Sequence, residues 1–374
     1  MKIVFVSDAI YPYNKGGKEK RLYEVSTRLS KLGHEVHIYT MHWWKTSEKE
    51  RTENGVHLHA ISKRHNMYKG DRRSIKEGVL FSLSCLKLLR VQFDVIDVDH
   101  MPFFPILTTW AVCVLTGRRQ KFFGTWHEAL SIQDWTSYMG KSGYVGALIE
   151  RISTKLPYRI TAASAQTTRQ LAAYHGRTKG VELVVNGIDT DLLSRVEPAN
   201  VDCDVLYIGR LVKDKNIDKL IRAMAVVVKT NPKVRCVIVG HGIEKEKLRK
   251  LVTKLSLGKQ VSIQDPLAEA SDVYAYMKRA KVFVLPSVRE GFSIVALEAI
   301  GCGTPVVTVD APANAAKDLV EDGVTGSVVK LSVQSLAEAI EFWMETESKE
   351  AIEKYAAEYG WDTVAVKQAE VYAS

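Results

Sequence analysis

Along this chain, short apolar runs alternate with segments whose apolar positions recur at helical spacing. Ile3–Val6 is an unbroken apolar run, as expected of a strand covered on both faces. After the loop SDAIYPYNKGG, positions Leu22, Val25, Leu29 and Leu32 mark one helical face, and Gly33 ends the helix. EVHIYT follows, completing a β–α–β unit whose strands are expected to be parallel. Further strands are predicted at VHLHAI, FDVIDV, KFFGTW and RITAAS, with VELVVN closing this half. The pattern then restarts. VLYIG, helix IDKLIRAMAVVVKT, VRCVIVG, helix EKEKLRKLVTKLS, VSIQ, helix SDVYAYMKRA, VFVLPS and PVVTV alternate in order. Two doubly wound α/β halves account for this, joined near NGIDTDLLSRVEPANVD, where turn residues and a proline break the periodicity.

Length agrees with two domains, since 374 residues exceed what one core usually supports. The 46% hydrophobic fraction is that of a soluble globular protein. No apolar run approaches a membrane span, and the opening KIVFVSD has the pattern of a strand rather than a leader. Cys85, Cys113, Cys203, Cys236 and Cys302 are scattered, with no CxxC pair. Such a set suggests buried thiols in a reducing cytoplasm, not a disulfide frame or zinc site. Charge is uneven: up to Val185 there are 28 Lys and Arg against 16 Asp and Glu, and beyond it 24 against 27. The basic excess therefore lies in the N-terminal half. It points to an anionic partner, or to a solvated basic surface.

In a doubly wound sheet, ligands bind beyond the carboxyl ends of strands. VLYIG is followed by Arg210 and, five residues on, Lys215, two cations suited to a diphosphate. The next strand ends in Gly240 and Gly242, small residues that let a ligand approach the backbone. The strand VFVLPS leads into Glu290-Gly291-Phe292-Ser293-Ile294, whose amides open a helix carrying Glu298. Helix-start amides favour phosphate oxygens. Eight helical steps would put Glu290 and Glu298 about 80° apart, so they do not form a simple helical pair. One glutamate on a loop and one inside a helix suit two polyols: ribose at Glu298, and a second sugar at Glu290. Two polyols joined by a diphosphate make a nucleotide sugar.

Here the sequence resembles the family 4 retaining glycosyltransferases of GT-B fold. Their glutamate–seven residues–glutamate signature appears as EGFSIVALE at 290–298, followed by GCGTP. The likeness extends to Gly209-Arg210 with Lys215, to NGID at 186–189, to Gly16-Gly17 before the first helix, to His127 in TWHEAL, and to the ending WDTVAVKQAEVY. It implies two Rossmann-like domains facing across a cleft. These would be 1–187 with a returning helix at 360–374, on the acceptor side, and 188–359, which binds the donor. It also implies front-face transfer from a nucleoside-diphosphate sugar to a hydroxyl, without a metal or further cofactor. The leaving diphosphate would be stabilised by Arg210, Lys215 and amides, with Glu290 positioning the sugar and His127 near it. Two positions depart from the pattern: Ser293 stands where a glycine is common, and DAPANAAKD stands where many members carry Gly-Gly and a glutamate. A nucleotide-sugar epimerase and a catalytically silent partner subunit are the alternatives.

Rival signals are weaker. In GHGIEK, Lys245 stands where a dinucleotide-binding loop needs its third glycine. Asp97-Val-Asp99 imitates a DxD metal site, yet the resemblance implies no metal, so Asp99 and His100 are taken as sheet-end residues. His57 and His59 alternate on a strand and lack a third ligand. Trp43 and Trp44 fit an acceptor site or a packed corner. Finally, Lys63, Arg64, Lys69, Arg72 and Arg73 precede Val79, Leu80, Leu83, Leu86 and Leu89, which share one helical face. This fits peripheral contact with an anionic membrane at the cytoplasmic face and a lipid-linked acceptor, or else leucines packed on the sheet beneath a solvated loop. Nucleic acid is not expected as a partner.

Overall fold

The computed structural model describes residues 1–69, 72–346, 352, 353, 355 and 357–374. The chain forms two compact units, Met1–Asn186 with Trp361–Ser374, and Gly187–Gly360.

The first unit holds strands β1 (Lys2–Val6), β2 (Glu35–Met41), β3 (Glu50–Glu53), β4 (Val56–Ser62), the short pair β5 (Tyr68–Lys69) and β6 (Arg72–Arg73), β7 (Val95–Asp99), β8 (Phe122–Trp126), β9 (Arg159–Ala162) and β10 (Val181–Leu183). Eight of them form one sheet, in the order β10-β9-β8-β7-β1-β2-β4-β3. All its pairings are parallel except β3 with β4. Ile3, Val4, Ile96, Val98 and Ile160 are wholly buried, which is why the central strands are apolar on both faces. Helix α1 (Gly17–Lys31) buries Val25 and Leu29, while Leu32 lies just past its end and is exposed. The leucine-rich segment forms α2 (Ile75–Ser84) as anticipated, and between it and β10, where strands alone were anticipated, the chain also forms α3 (Phe104–Leu115), α4 (Ile132–Met139), α5 (Gly143–Ser153) and α6 (Ala165–His175).

The second unit holds α7 (Thr190–Arg195), β11 (Val205–Ile208), α8 (Ile217–Thr230), β12 (Cys236–Val239), α9 (Lys245–Lys254), β13 (Val261–Gln264), α10 (Ala270–Arg279), β14 (Val282–Leu285), β15 (Arg289–Glu290), α11 (Ile294–Gly301), β16 (Val306–Val309), β17 (Ala313–Asn314), β18 (Gly326–Val329) and α12 (Val333–Glu345). Its main sheet runs β13-β12-β11-β14-β16-β18, parallel throughout. The final helix, α13 (Trp361–Ala373), belongs to the first unit. Among the contacts that hold it there, Arg28 Nε donates to Asp362 at 2.7 Å, Arg21 donates to Gln368 at 3.2 Å, Gln368 donates to the Thr161 hydroxyl at 3.2 Å, and the Tyr372 hydroxyl donates to Asp97 at 2.5 Å.

Each sheet has a point where chain order reverses, between β1 and β7 in one and between β11 and β14 in the other. Open α/β sheets bind ligands outside the carboxyl ends of strands at such points. All five cysteines are buried free thiols.

Candidate functional site

The reversal point of the second unit gathers most of the residues singled out in the sequence. β11 ends at Ile208, so Gly209 and Arg210 emerge first. Gly209 is small because the Tyr207 hydroxyl would lie 2.8 Å from a side chain there. That hydroxyl donates to the Arg210 carbonyl at 2.9 Å, leaving the Arg210 side chain exposed. Lys215 closes the turn before α8 and is buried. Its ammonium donates to Glu290 Oε1 at 2.8 Å and to the Arg289 carbonyl at 3.0 Å. Rather than forming a clamp with Arg210 alone, Lys215 is joined to Glu290.

Glu290 is held by a device that the sequence did not announce. β15 pairs with β17, matching Glu290 to Asn314. Asn314 is fully buried; its amide donates to Thr308 Oγ1 at 3.0 Å and to the Val309 carbonyl at 2.7 Å, and its oxygen accepts from Ala316 N at 3.1 Å. DAPANAAKD, which departs from the family pattern, therefore anchors the strand that carries Glu290. An asparagine in a turn after a strand was the available signal.

Phe292 is buried beside Gly291, and Ser293 caps α11 at φ +78°, a left-handed conformation that favours glycine. The glycine common at this position has its physical reason there. Among the described residues the buried Ser293 hydroxyl has no hydrogen-bond partner. Ile294 starts the helix, and Glu298, buried one turn on, accepts from the Tyr274 hydroxyl at 3.3 Å. Burial, then the nearby Glu298 carboxylate, push the Tyr274 hydroxyl well above its ordinary range. Gly240 and Gly242 are required by the chain's own packing. Side chains there would lie 1.9 Å from the Gly209 carbonyl and 2.2 Å from that of Leu211. They admit the chain's own backbone, locking the exits of β11 and β12 together.

At the reversal point of the first unit, buried charges converge. Lys18 donates to Asp8 at 3.0 Å and to Asp99 at 2.8 Å, and Arg73 is paired with Asp8 as well. Burial alone would lower the Lys18 pKa, but Asp8 and Asp99 outweigh it and raise it. Gly16 caps α1 and Gly17 begins it; the Glu19 carboxylate lies over Gly16, 2.3 Å from where a side chain would start. His127 leaves β8 with Nε2 3.9 Å from Asp99 Oδ1, and burial holds its imidazole neutral, with its pKa down at about 3. Asp97 and Asp99 do not act as a pair. Asp97 faces Tyr372 and the Thr125 hydroxyl, which donates at 2.8 Å, whereas Asp99 faces Lys18, His100 and His127. Sequence reasoning missed Asp8 and Lys18, although a charged residue directly after a central first strand was a usable signal.

The other candidates separate clearly. Trp43 and Trp44 are buried, their indole N–H groups donating to the carbonyls of Asp8 and Glu48. His57 and His59 meet a third histidine, His37, whose Nδ1 lies 2.8 Å from His59 Nε2. In the leucine-rich segment Val79, Leu83, Leu86 and Leu89 are exposed together with Ile75, while Phe81, Cys85 and Leu88 pack inward. Leu80 is half-buried, so packing of the leucine stripe on the sheet is overturned for the other four. Of the five preceding cations, Arg73 is committed to Asp8 and Arg64 lies over the Trp43 ring at 5.1 Å. The side chains of Lys69 and Arg72 fall outside the described residues. On α5, Tyr144, Val145, Leu148 and Ile152 form a second exposed apolar stripe.

Comparison with known proteins agrees with this architecture. The family model described as Glycosyltransferase Family 4 matches residues 15–192, and the one described as Glycosyl transferases group 1 matches 194–359. A D-inositol 3-phosphate glycosyltransferase of Streptomyces griseus is 33% identical over 184 residues, covering 45% of this chain and 38% of that protein. An N-acetylgalactosaminyltransferase of Campylobacter jejuni, acting on a diphospho-undecaprenol-linked sugar by its name, is 34% identical over 156 residues, 41% of each chain. The alignments thus span about two fifths of these relatives. The Anabaena protein HepE, solved with UDP and glucose, superposes with a TM-score of 0.76 at 19% identity, covering 100% of both chains. Together the two matched segments take in nearly the whole sequence, and the chain belongs to the family 4 glycosyltransferases, with the GT-B fold.

Proposed function

We propose that this protein transfers a sugar from a nucleoside-diphosphate sugar to a hydroxyl acceptor with retention of configuration at the anomeric carbon. The observation that carries the proposal is the grouping at the β11/β14 reversal point: exposed Arg210, the Lys215–Glu290 pair, and the start of α11 with Glu298 one turn inside. Arg210 and the α11 amides bind the diphosphate, and Lys215 shares its charge between phosphate and Glu290. Glu298 accepts from the ribose hydroxyls, and Glu290 from the transferred sugar. The bond from the anomeric carbon to the phosphate oxygen breaks, its electron pair passing to the phosphate. The acceptor oxygen bonds to the same face of that carbon, and its proton goes to the leaving phosphate. Neutral His127 offers the substrate a hydrogen bond without charge. No metal takes part, because the cations and amides neutralise the leaving group.

UDP-sugars are the first donors to try, since HepE was solved with UDP and glucose. Replacing Arg210 and Lys215 with alanine is expected to weaken UDP binding at least 100-fold by calorimetry. Unchanged affinity in the folded variant would overturn the donor site. Release of UDP that depends on an acceptor separates transfer from epimerisation, and EDTA is expected to leave turnover intact.

For the acceptor we infer a lipid-linked glycan met at an anionic membrane surface. Support comes from the exposed stripes on α2 and α5, the basic excess of the N-terminal half, and the Campylobacter relative's lipid-linked substrate. Among the described residues no helix is long and apolar enough to cross a membrane. Anionic vesicles are expected to retain the protein at low salt and neutral ones not. Leu83→Asp with Leu148→Asp should abolish retention while UDP binding stays unchanged; equal, negligible retention by both vesicle types would favour an acceptor free in solution.

A further inference from the structure

β7 and β8 are parallel neighbours in register at Asp99 and Thr125, so their carboxyl ends finish side by side. Asp99 ends β7, His100 follows it, and His127 leaves β8. One ligand atom from each of the three lies within 4.8 Å of the others. His100 Nδ1 is 3.5 Å from Asp99 Oδ1, and His127 Nε2 is 3.9 Å from that same oxygen. Metal–ligand bonds of about 2.0–2.1 Å in a tetrahedral arrangement put ligand atoms roughly 3.3 Å apart, so the three need move little to share an ion.

The two oxygens of Asp99 are divided. Oδ2 accepts from Lys18 at 2.8 Å and from the Ser7 hydroxyl at 3.4 Å, whereas Oδ1 faces the imidazoles and accepts a long contact from Met101 N at 3.3 Å. His100 is 2% exposed, and its Nδ1 has no hydrogen-bond partner among the described residues. A buried nitrogen so placed carries a cost that a ligand would remove. The ring is fixed there by stacking on Trp126, with centroids 5.5 Å apart, and by the edge of Phe103 at 5.6 Å. Lys18, bonded to the outer oxygen, fixes the carboxylate with its other oxygen toward the imidazoles.

We propose that Asp99, His100 and His127 form a site for a borderline divalent cation, Zn²⁺ in the first instance, and that its occupation inhibits the enzyme. Two imidazole nitrogens and one carboxylate oxygen suit Zn²⁺ and disfavour Mg²⁺, which prefers an oxygen shell and keeps its waters. A bound ion takes Nε2 of His127, removing the hydrogen bond offered to the substrate. The inhibition rests on the transferase reading of His127; the binding does not.

Competition with a chromogenic chelator is expected to find one Zn²⁺ per chain that excess Mg²⁺ does not displace. Co²⁺ bound to the unaltered chain is expected to give the intense visible absorption of a four-coordinate ion. His100→Gln should weaken this Zn²⁺ site at least tenfold, whereas His57→Gln, in the His37 cluster, should not. Absence of stoichiometric Zn²⁺, or equal affinity in His100→Gln, would overturn the site, as would a purely octahedral Co²⁺ spectrum. Stoichiometric Zn²⁺ should lower turnover at least tenfold, EDTA should restore it, and His100→Gln should turn over with or without Zn²⁺. Full turnover with Zn²⁺ bound would overturn the inhibition. A failed transferase reading would leave Zn²⁺ binding without turnover, and a failed metal site would leave turnover without Zn²⁺ binding.

Discussion

Both units place charge at the reversal point of a parallel sheet, but they assemble it differently. In the second unit, Glu290, Ser293 and Glu298 lie within nine consecutive residues, and Arg210 and Lys215 are five apart. In the first, Asp8, Lys18, Arg73, Glu77 and Asp99 come from four separate segments and meet only through the fold. The difference is one of function as well as form. The proposed donor diphosphate needs a cation left open, as Arg210 is although Lys215 is paired with Glu290, whereas Lys18 and Arg73 of the first unit are both paired with its carboxylates. Proximity in sequence made one cluster visible and hid the other.

The sharpest way to break this comparison is to treat the Lys215–Glu290 pair as structural only. Glu290→Gln is expected to lower turnover by about 10²–10³-fold while UDP affinity stays within a few-fold, because the carboxylate acts on the sugar and on Lys215 rather than on the nucleotide. Initial rates and calorimetry on the same preparation check it. A lowered Tm with unchanged kcat would make the pair a structural contact, like those of the first unit.

The converse test is Asp99→Asn. It leaves Lys18, largely buried, with Asp8 and the more distant Glu19 carboxylate at 4.0 Å. Breaking a buried pair typically costs about 3–5 kcal/mol; with Asp8 retained, a loss of about 2–3 kcal/mol in urea unfolding is expected. Lys247→Ala, which removes an exposed pair with Glu244, is expected to be silent. A silent Asp99→Asn would mean that the first unit's cluster contributes no more than a surface pair.

The sheets were legible because their strands are apolar on both faces and bounded by turns; each strand anticipated in the second half appears at its expected place. Helix α3 was not, since PFFPILTTWAVCVL is apolar all round and carries no helical stripe. The residues of the proposed donor site were legible because a strand, a short loop and a helix start put them within a few residues of one another. Asn314 and Tyr274 were not, because what they do depends on pairing across the fold: β15 with β17, and α10 with α11. Asp8 and Lys18 become visible only once β1 and β7 are known to be neighbours.

Glu77 sharpens the comparison through pH. It is buried on α2, and burial first, then the Asp8 carboxylate, raise its pKa to about 8. The folded state thus holds a proton that the unfolded chain, with an ordinary carboxyl, releases near pH 4–5. Its stabilising contribution is full below that range and is lost as pH rises through about 8. Wild-type Tm is expected to fall between pH 6 and 9 more steeply than that of Glu77→Gln. The difference should be on the order of 1 kcal/mol, read as about 2–4 °C. Parallel curves would place the proton elsewhere.

The smallest effect is expected at Ser293, where the second unit keeps a strained residue beside the proposed donor site. At φ +78° and ψ 76° a side chain costs roughly 1 kcal/mol that glycine does not, and the serine hydroxyl is buried without a partner among the described residues. Ser293→Gly is therefore expected to stabilise the protein by about 0.5–1 kcal/mol, part of the gain being offset by the freer unfolded chain. If the hydroxyl is kept for a phosphate oxygen at the start of α11, the same change weakens UDP binding several-fold, so stability and affinity move in opposite directions. Ser293→Ala separates the causes: it keeps the strained Cβ but removes the hydroxyl, so affinity should fall without the gain from relieved strain. Thermal unfolding and UDP calorimetry on the three proteins decide the matter. A glycine variant more stable than wild type and equal in affinity would show the hydroxyl to be idle, and the departure from the family's glycine to be strain that the surrounding structure tolerates.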